Sequence, residues 1–389
     1  MGALALFSRR LPLSAHPGNT TVQTILPFVT SDPQSLLSRF KDKVESAFFA
    51  LNIPFGEQWN VDFEGRNNEE VRRHVTVLNV FGPTGTAVGT TTRSLSRKFT
   101  KFTPRVNPSR KPRDEWTFYV SGAVGEKSGG FNGATADVQA YDSETNTTFE
   151  LGAKQTLWDR RLQLNYALIA IDWKDLQLSV PDTIPAPGST LQEPNFIGNV
   201  KGADSKGFEV EAQVVLTDRL KGRLSASYVL SQFKDGTIDT TFGRLCETTG
   251  AATCVFLPRT RVGTVPGPLP LGGNDLPRTP KTNASAGLDY SIPVMNVELS
   301  LGGDLTDQSK YYAENLNMAS IPSRTLLNLS VGIGDPDGAW SVSLWSKNVT
   351  DELCASSAFA VSVVNQYIPA FAQGATFGPS ARYNFEPGK

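Results

Sequence analysis

Between Gly207 and Phe233 every second residue changes character. Phe208, Val210, Ala212, Val214 and Leu216 are apolar, and Glu209, Glu211 and Gln213 stand between them. After the stretch TDRLKG, Leu224, Ala226, Tyr228 and Leu230 alternate with Arg223, Ser225, Ser227 and Ser231. A period of two marks an extended strand with one apolar face, so this segment predicts a β-hairpin. The pattern recurs along the chain. Phe49, Leu51 and Ile53 show it, as do Trp59, Val61 and Phe63, then Trp116, Phe118 and Val120. Phe149, Leu151 and Ala153 lead through LWDRR to Leu162, Leu164, Tyr166 and Leu168. Val297, Leu299 and Leu301 follow, then Leu327, Leu329, Val331 and Ile333. Trp340, Val342 and Leu344 come next, and Phe377, Ala381, Tyr383 and Phe385 close the series. Helical spacing competes in one place, Ser35 to Leu51, where Leu36, Leu37 and Phe40 fit it. We read that segment as loop running into strand.

The connections fall into two alternating classes. Those around 54–57, 109–113, 158–160, 217–222, 291–294 and 334–338 are short. Those around 11–42, 67–96, 127–144, 174–204, 235–277, 306–322 and 351–373 are long. One end of the sheet therefore carries tight turns and the other long loops. The count predicts about fourteen antiparallel strands, the first near residues 2–10 and the last near 374–385. A soluble sandwich also alternates, because its inner face is apolar. A transmembrane β-barrel differs in gathering its long loops at one end, with the apolar band outward and the polar lumen inward. Trp59, Trp116, Trp158 and Trp340 all lie near short turns. That position suits an interfacial aromatic girdle, the alternative being ordinary core tryptophans. The expected fold is all-β, an antiparallel transmembrane barrel over residues 1–389.

Composition narrows function. The chain of 389 residues has 37 basic and 38 acidic side chains, which argues against a nucleic-acid partner held by bulk positive charge. No apolar run is long enough for a transmembrane helix, which says nothing against a barrel. The start MGALALFSRRLPLSAHPG lacks a basic region before its short apolar part, and Gly2–Arg9 reads as a strand rather than a signal peptide. Cys246 and Cys254 are close in a polar segment and suit a disulfide in an oxidising compartment, or stand as two unpaired loop thiols. His16 and His74 are the sole histidines, and no Ser/His/Asp set, HExxH motif or metal-spaced Cys/His cluster is visible. We expect no enzyme, no cofactor and no metal. EKSGGFNG (Glu126 to Gly133) is glycine-rich but lacks the spacing of a phosphate loop.

Several segments in fixed order carry a resemblance. They are KFTPRVN with YVSGAVGEKSGGFN, then FELGAKQTLWDRRLQLNYALIAIDWKDLQL, then SKGFEVEAQVVLTDRLKGRLSASYVLSQFKD. LPRTPKTNASAGLDYSI, SLWSKNVTDELC and the closing GPSARYNF complete the set. Over most of residues 43–385 the chain resembles the C-terminal part of the barrel of TonB-dependent outer-membrane receptors. The resemblance implies a 22-strand barrel holding an N-terminal plug, the outer membrane of a Gram-negative bacterium, and import of scarce solutes such as ferric siderophores. Its implied partners are outer-membrane lipid, the barrel assembly machinery, an iron chelate, and the TonB system where an N-terminal part supplies the TonB box. The departures are the strand number and the lack of a plug or TonB box before residue 1, which suggest a plug-less C-terminal fragment. A further departure is FTPRVNPSRKPRD, poor in apolar residues and broken by Pro104, Pro108 and Pro112. Phe385 matches the aromatic residue the family uses in barrel assembly, although Glu386 to Lys389 follow it. Candidate ligand contacts are Phe131, Tyr311, Tyr312 and Arg324, which could wrap an anionic chelate by stacking and charge-assisted bonds, or simply order the loops. Two other functions remain open at this point: a self-contained passive outer-membrane channel, and a soluble secreted β-binding protein.

Overall fold

The computed structural model describes residues 4–8, 20–25, 34–81, 87–133, 139–181, 195–239, 269–361 and 366–385. Among them all regular structure is β. The chain forms β1 (Leu4–Ser8), β2 (Thr20–Ile25), β3 (Gln34–Phe55), β4 (Trp59–Phe81), β5 (Ala87–Arg113) and β6 (Trp116–Lys127). It continues with β7 (Gly130–Phe131), β8 (Ala140–Tyr141), β9 (Glu144–Leu157), β10 (Leu162–Pro181), β11 (Asn195–Thr217) and β12 (Leu220–Phe233). Then come β13 (Ile238–Asp239), β14 (Leu269–Pro270), β15 (Thr282–Val294), β16 (Val297–Gln308), β17 (Tyr311–Tyr312) and β18 (Ser320–Ile321). The last are β19 (Arg324–Gly334), β20 (Trp340–Lys347), β21 (Ala355–Val361), β22 (Gln366–Phe371) and β23 (Thr376–Tyr383).

One 15-stranded antiparallel sheet runs β1-β3-β4-β5-β6-β9-β10-β11-β12-β15-β16-β19-β20-β23, with β2 also on β3. β1 pairs with Ala47–Leu51 and β2 with Gln34–Arg39, so the two follow one another along one edge of β3 and share a position. The sheet is thus fourteen positions wide, as the alternation predicts. Among the described residues β23 does not pair with β1 or β2, and the barrel is not closed.

Register turns the sequence pattern into two faces. One cross-strand row reads Leu164, Ala212, Leu224, Ala286, Leu305, Leu327. The next row, one residue along, reads Asn165, Glu211, Ser225, Ser285, Thr306, Leu326. Adjacent residues in a strand point to opposite faces, so the first row paves an apolar surface and the second a polar one. The apolar surface is exposed: Leu151, Leu168, Phe208, Leu224, Leu288, Leu329 and Leu344 all lie open on it. A soluble protein does not leave so large a contiguous face to water, whereas lipid covers it in a membrane barrel. Trp59 and Trp158 are exposed at the turn end, which rules out the core-tryptophan alternative for them. Arg110 lies over Trp59 at 5.3 Å and Arg113 over Trp116 at 5.1 Å, pairing cations with the aromatic girdle.

The structure corrects four sequence expectations. Ser35 to Leu51 is not loop running into strand; it is strand throughout, inside β3. Wherever they are described, the expected loops at 11–42, 67–96 and 174–204 are strand as well, since β3, β4, β5, β10 and β11 continue well past the apolar band. The outward face of β4 shows why. Val61 and Phe63 give way to Asn67, Glu69 and Arg73 interspersed with Val71, Val75 and Val77, while Glu70, Arg72 and His74 stand on the other face, so charge falls on both faces and the alternation is lost. The expected turns at 109–113 and 291–294 are strand, and the turns lie at Asp114–Glu115 and Met295–Asn296. Finally, Pro104, Pro108 and Pro112 do not break β5. Lys111 N–H donates to Gln58 O on the β4 side at 2.7 Å, so even-numbered neighbours face β6. The prolines remove donors from that seam alone. Pairing with β6 survives at Arg105–Val106, Ser109–Arg110 and Arg113.

The buried core sits at the loop end rather than in the barrel wall. Leu176, Ala203, Phe233 and Leu271 form it, with Trp173, Val200 and Leu276 packed against them. Gly202 allows the close approach: its φ is +146° and a Cβ there would lie 2.1 Å from Trp173 O.

Candidate functional site

The lumen face carries the polar chemistry. Arg223 lies across Gly287 and pairs with both Asp289 and Asp304. Tyr119 crosses Gly152 and donates its hydroxyl to Glu150. At the turn end, Asn52, Asn107, Arg105, Tyr119, Glu150 and Lys154 line a cavity of about 650 Å³. The Asp62 carboxylate there accepts hydrogen bonds from Asn52 at 2.6 Å and Asn60 at 3.0 Å.

The loop end holds two sites. The first forms where the 127–144 connection folds back onto the upper parts of β4 and β5. Its hairpin, β7 with β8, is pinned from several sides. Gln177 Nε2 donates to Asp142 O at 2.9 Å and Ser128 O at 3.1 Å. Asn132 exchanges hydrogen bonds with the Ile197 backbone at 2.8 and 2.9 Å. Arg97 pairs with Asp142. So held, Phe131 meets His74 at 6.3 Å between ring centroids, and Phe40 stacks on His74 at 4.0 Å. His74 is buried and its Nε2 has no hydrogen-bond partner. Burial holds its pKa below the ordinary histidine value. Below it Arg72 donates to Glu70 at 2.6 Å, and burial lifts the Asp42 carboxyl above its usual value against the pull of Arg72.

The second site lies where the 269–281, 309–323 and 354–372 segments converge. Asp275 and Asn317 exchange hydrogen bonds at 2.7 and 2.8 Å, and Glu314 accepts from the backbone N–H groups of Leu316, Met318 and Ala319. Arg278 N–H donates to Tyr312 O at 2.8 Å. Tyr311 donates its hydroxyl to Ser356 O at 3.2 Å. Tyr311 and Arg324 share one cavity with Arg278, Gln308 and Ser357. Arg324 also lines a neighbouring cavity with Ser227, Asn283 and Asp307.

Of the expected contacts, Tyr311 and Arg324 therefore come together. Tyr312 lies beside them under Lys310, whose Nζ is 5.4 Å from its ring, and is outside that cavity. Phe131 belongs to the other site, with His74. Residues not singled out from sequence are Phe40, Arg72, Arg97 and Arg278. The first three share a face with His74 only through the long β3–β4–β5 register, hidden where 67–96 reads as loop. Phe385 lies just beyond β23, exposed, its ring edge-on to Tyr383 at 4.7 Å. Cys246 and Cys254 lie outside the described residues. Cys354 is a buried free thiol. Among the described residues no group of side chains has metal-binding geometry.

Solved structures share this architecture. The ferric yersiniabactin uptake receptor FyuA from Yersinia pestis matches with a TM-score of 0.70 at 15% identity, covering 91% of this chain and 47% of its own. The siderophore receptor PiuA from Acinetobacter baumannii matches with a TM-score of 0.62 at 16% identity, covering 90% and 43%. BauA, the ferric preacinetobactin receptor from the same organism, gives 0.54 at 15% identity over 99% and 59%. At such identities the likeness is one of fold, and the chain spans about half the length of the first two proteins. No curated protein sequence matches the chain. The family model for the TonB dependent receptor-like β-barrel matches residues 11–349. With its outward apolar band, polar lumen and alternating turns and loops, the chain belongs to the TonB-dependent receptor β-barrel family.

Proposed function

We propose that the chain is the barrel part of an outer-membrane receptor that imports a scarce solute such as a ferric siderophore in a Gram-negative bacterium. The observation that carries this reading is the loop end. Loops fixed by buried polar side chains set aromatic and cationic groups over the lumen of a membrane-spanning wall. Fixed loops suit selective capture, because little ordering is left to oppose binding. In this reading Phe131, Tyr311, Tyr312 and Arg324 contact the solute, TonB drives its release, and Phe385 is read by the assembly machinery. The FyuA and PiuA likenesses support the solute class without fixing it.

The test has two parts. Membrane fractionation should leave the protein insoluble without detergent; release into aqueous buffer overturns the membrane assignment. Purified protein is then titrated with ferric hydroxamate and ferric catecholate chelates, following tryptophan quenching. Saturable binding of one chelate class supports a receptor. Steady conductance in planar bilayers with no chelate binding would instead make it a passive channel.

A further inference from the structure

We propose that Arg110 and Arg113, each stacked on a tryptophan, form a headgroup site for an anionic phospholipid in the leaflet at the turn end. The proposal rests on the membrane assignment alone and holds for a receptor or a channel.

Position sets these two cations apart. The outward row of Leu164 continues through Gln155 and Trp116 to Arg113. A parallel outward row runs from Tyr166 through Ala153 and Phe118 to Arg110, and on to Trp59. Both arginines therefore stand on the face that meets lipid. Other strands reach their turns with outward apolar residues, as at Leu157, Leu162, Leu220, Val294, Val297 and Trp340. Arg66, Arg93 and Arg105 on β4 and β5 stand on the lumen face instead.

The backbone is shaped to put both arginines outside. Residues three apart in a regular strand face opposite ways. β5 shifts register against β6 between Arg110 and Arg113, and a bulge of this kind re-aims side chains. Lys111 thus lines the lumen cavity, while Arg113 turns back outward onto Trp116. Lys111 N–H and Arg110 Nη2 both donate to Gln58, at 2.7 and 3.2 Å, which fixes the segment against the β3–β4 turn.

The chemistry fits a lipid headgroup. An outward arginine is tolerated near the headgroups and not at the bilayer centre, and tryptophan marks the same level. A guanidinium stacked on a ring keeps its edge free, and that planar fork matches phosphate. Among the described residues neither arginine lies within ion-pair distance of Glu57, Asp114 or Glu115, the acids of the adjoining turns. Beside and above the pair, Val106, Phe118 and Val120 are apolar and exposed. That bed suits an acyl chain and favours a lipid phosphodiester over free phosphate.

The test is native mass spectrometry of the full chain folded in detergent, titrated separately with phosphatidylglycerol and zwitterionic phosphatidylcholine. Each arginine should add about fivefold to the preference for the anionic lipid. Arg110→Gln or Arg113→Gln should each remove that factor, and the double glutamine variant should bind both lipids alike. The double lysine variant keeps the charges, so it should retain most of the preference and shows that the wall still folds. Arg160→Gln, exposed in the next turn, should change nothing, and excess inorganic phosphate should not displace the lipid. The proposal is overturned by equal binding of the two lipids to the unaltered chain, or by a preference that survives in the double glutamine variant. An equal loss in Arg160→Gln, or displacement by phosphate, overturns it too. None of these results bears on the chelate titration, which tests the receptor reading separately.

Discussion

The β10–β12 and β15–β16 part of the wall and the β3–β6 part obey different rules. In the first, the rows at the level of Leu164 and Asn165 are apolar outward and polar inward, and the ladder runs unbroken through β10 and β11 from Leu162 to Lys174. In the second, the strands rise far above the lipid, charge appears on both faces, and prolines open the seam between β5 and β6. Alternation is thus a property imposed by the medium, not by the strand. Where lipid touches one face, sequence must alternate; where water touches both, the backbone alone keeps the sheet together.

The largest test of that contrast exchanges outward residues for arginine. Leu224→Arg, facing lipid near mid-band, should cost about 2–4 kcal/mol, and its neighbour Ser225→Arg close to nothing. Val71→Arg, outward on β4 but above the band, should also be mild. Chemical denaturation in lipid vesicles measures all three, and a large loss at Val71 would move the membrane boundary. Next in size is the seam. Pro108→Thr restores a donor facing β6, and one added ladder bond should stabilise by about 0.5–1.5 kcal/mol. Hydrogen exchange provides the companion reading: amides of β6 near Val120 should exchange faster than those of β10 near Leu168. Equal protection would mean the prolines leave the seam intact.

The smallest effect is a pH response at His74. Its pKa is held below 6.5 by burial, so the undocked state binds a proton first as pH falls. Docking of the 127–144 connection is at full strength above the ordinary histidine value. It weakens as pH drops below that value, by at most tenfold per unit, or about 1.4 kcal/mol. Limited proteolysis of that connection at pH 7.5 and 5.5 reads the change, and His74→Phe should abolish it.

How far sequence could go follows from the same contrast. The hairpin from Gly207 to Phe233 was legible residue by residue, with its turn and both faces, because lipid imposes its period. The heights of β3, β4 and β5 were not, because Glu69, Glu70, Arg72 and Arg73 put charge on both faces. The prolines of β5 read as breakers because strand rules concern a ladder on both sides, and here only one side lost donors. Tyr311 and Arg324 could be named from residue type. Their companion Arg278 could not, because its neighbours come from three loops distant in sequence. Likewise nothing local marks His74 as the meeting point of Phe40 and Phe131.

The height of β4 and β5 has an electrical consequence. Their upper parts extend beyond the outward Phe102 by roughly 40–50 Å of strand at about 3.3 Å per residue. The Debye length at physiological ionic strength is about 8 Å. Charges on that wall and charges at the base of the lumen are therefore screened from one another. Ionic strength would act on a charged solute twice and independently: once on its rate of arrival, through the wall, and once on its retention, through the groups below.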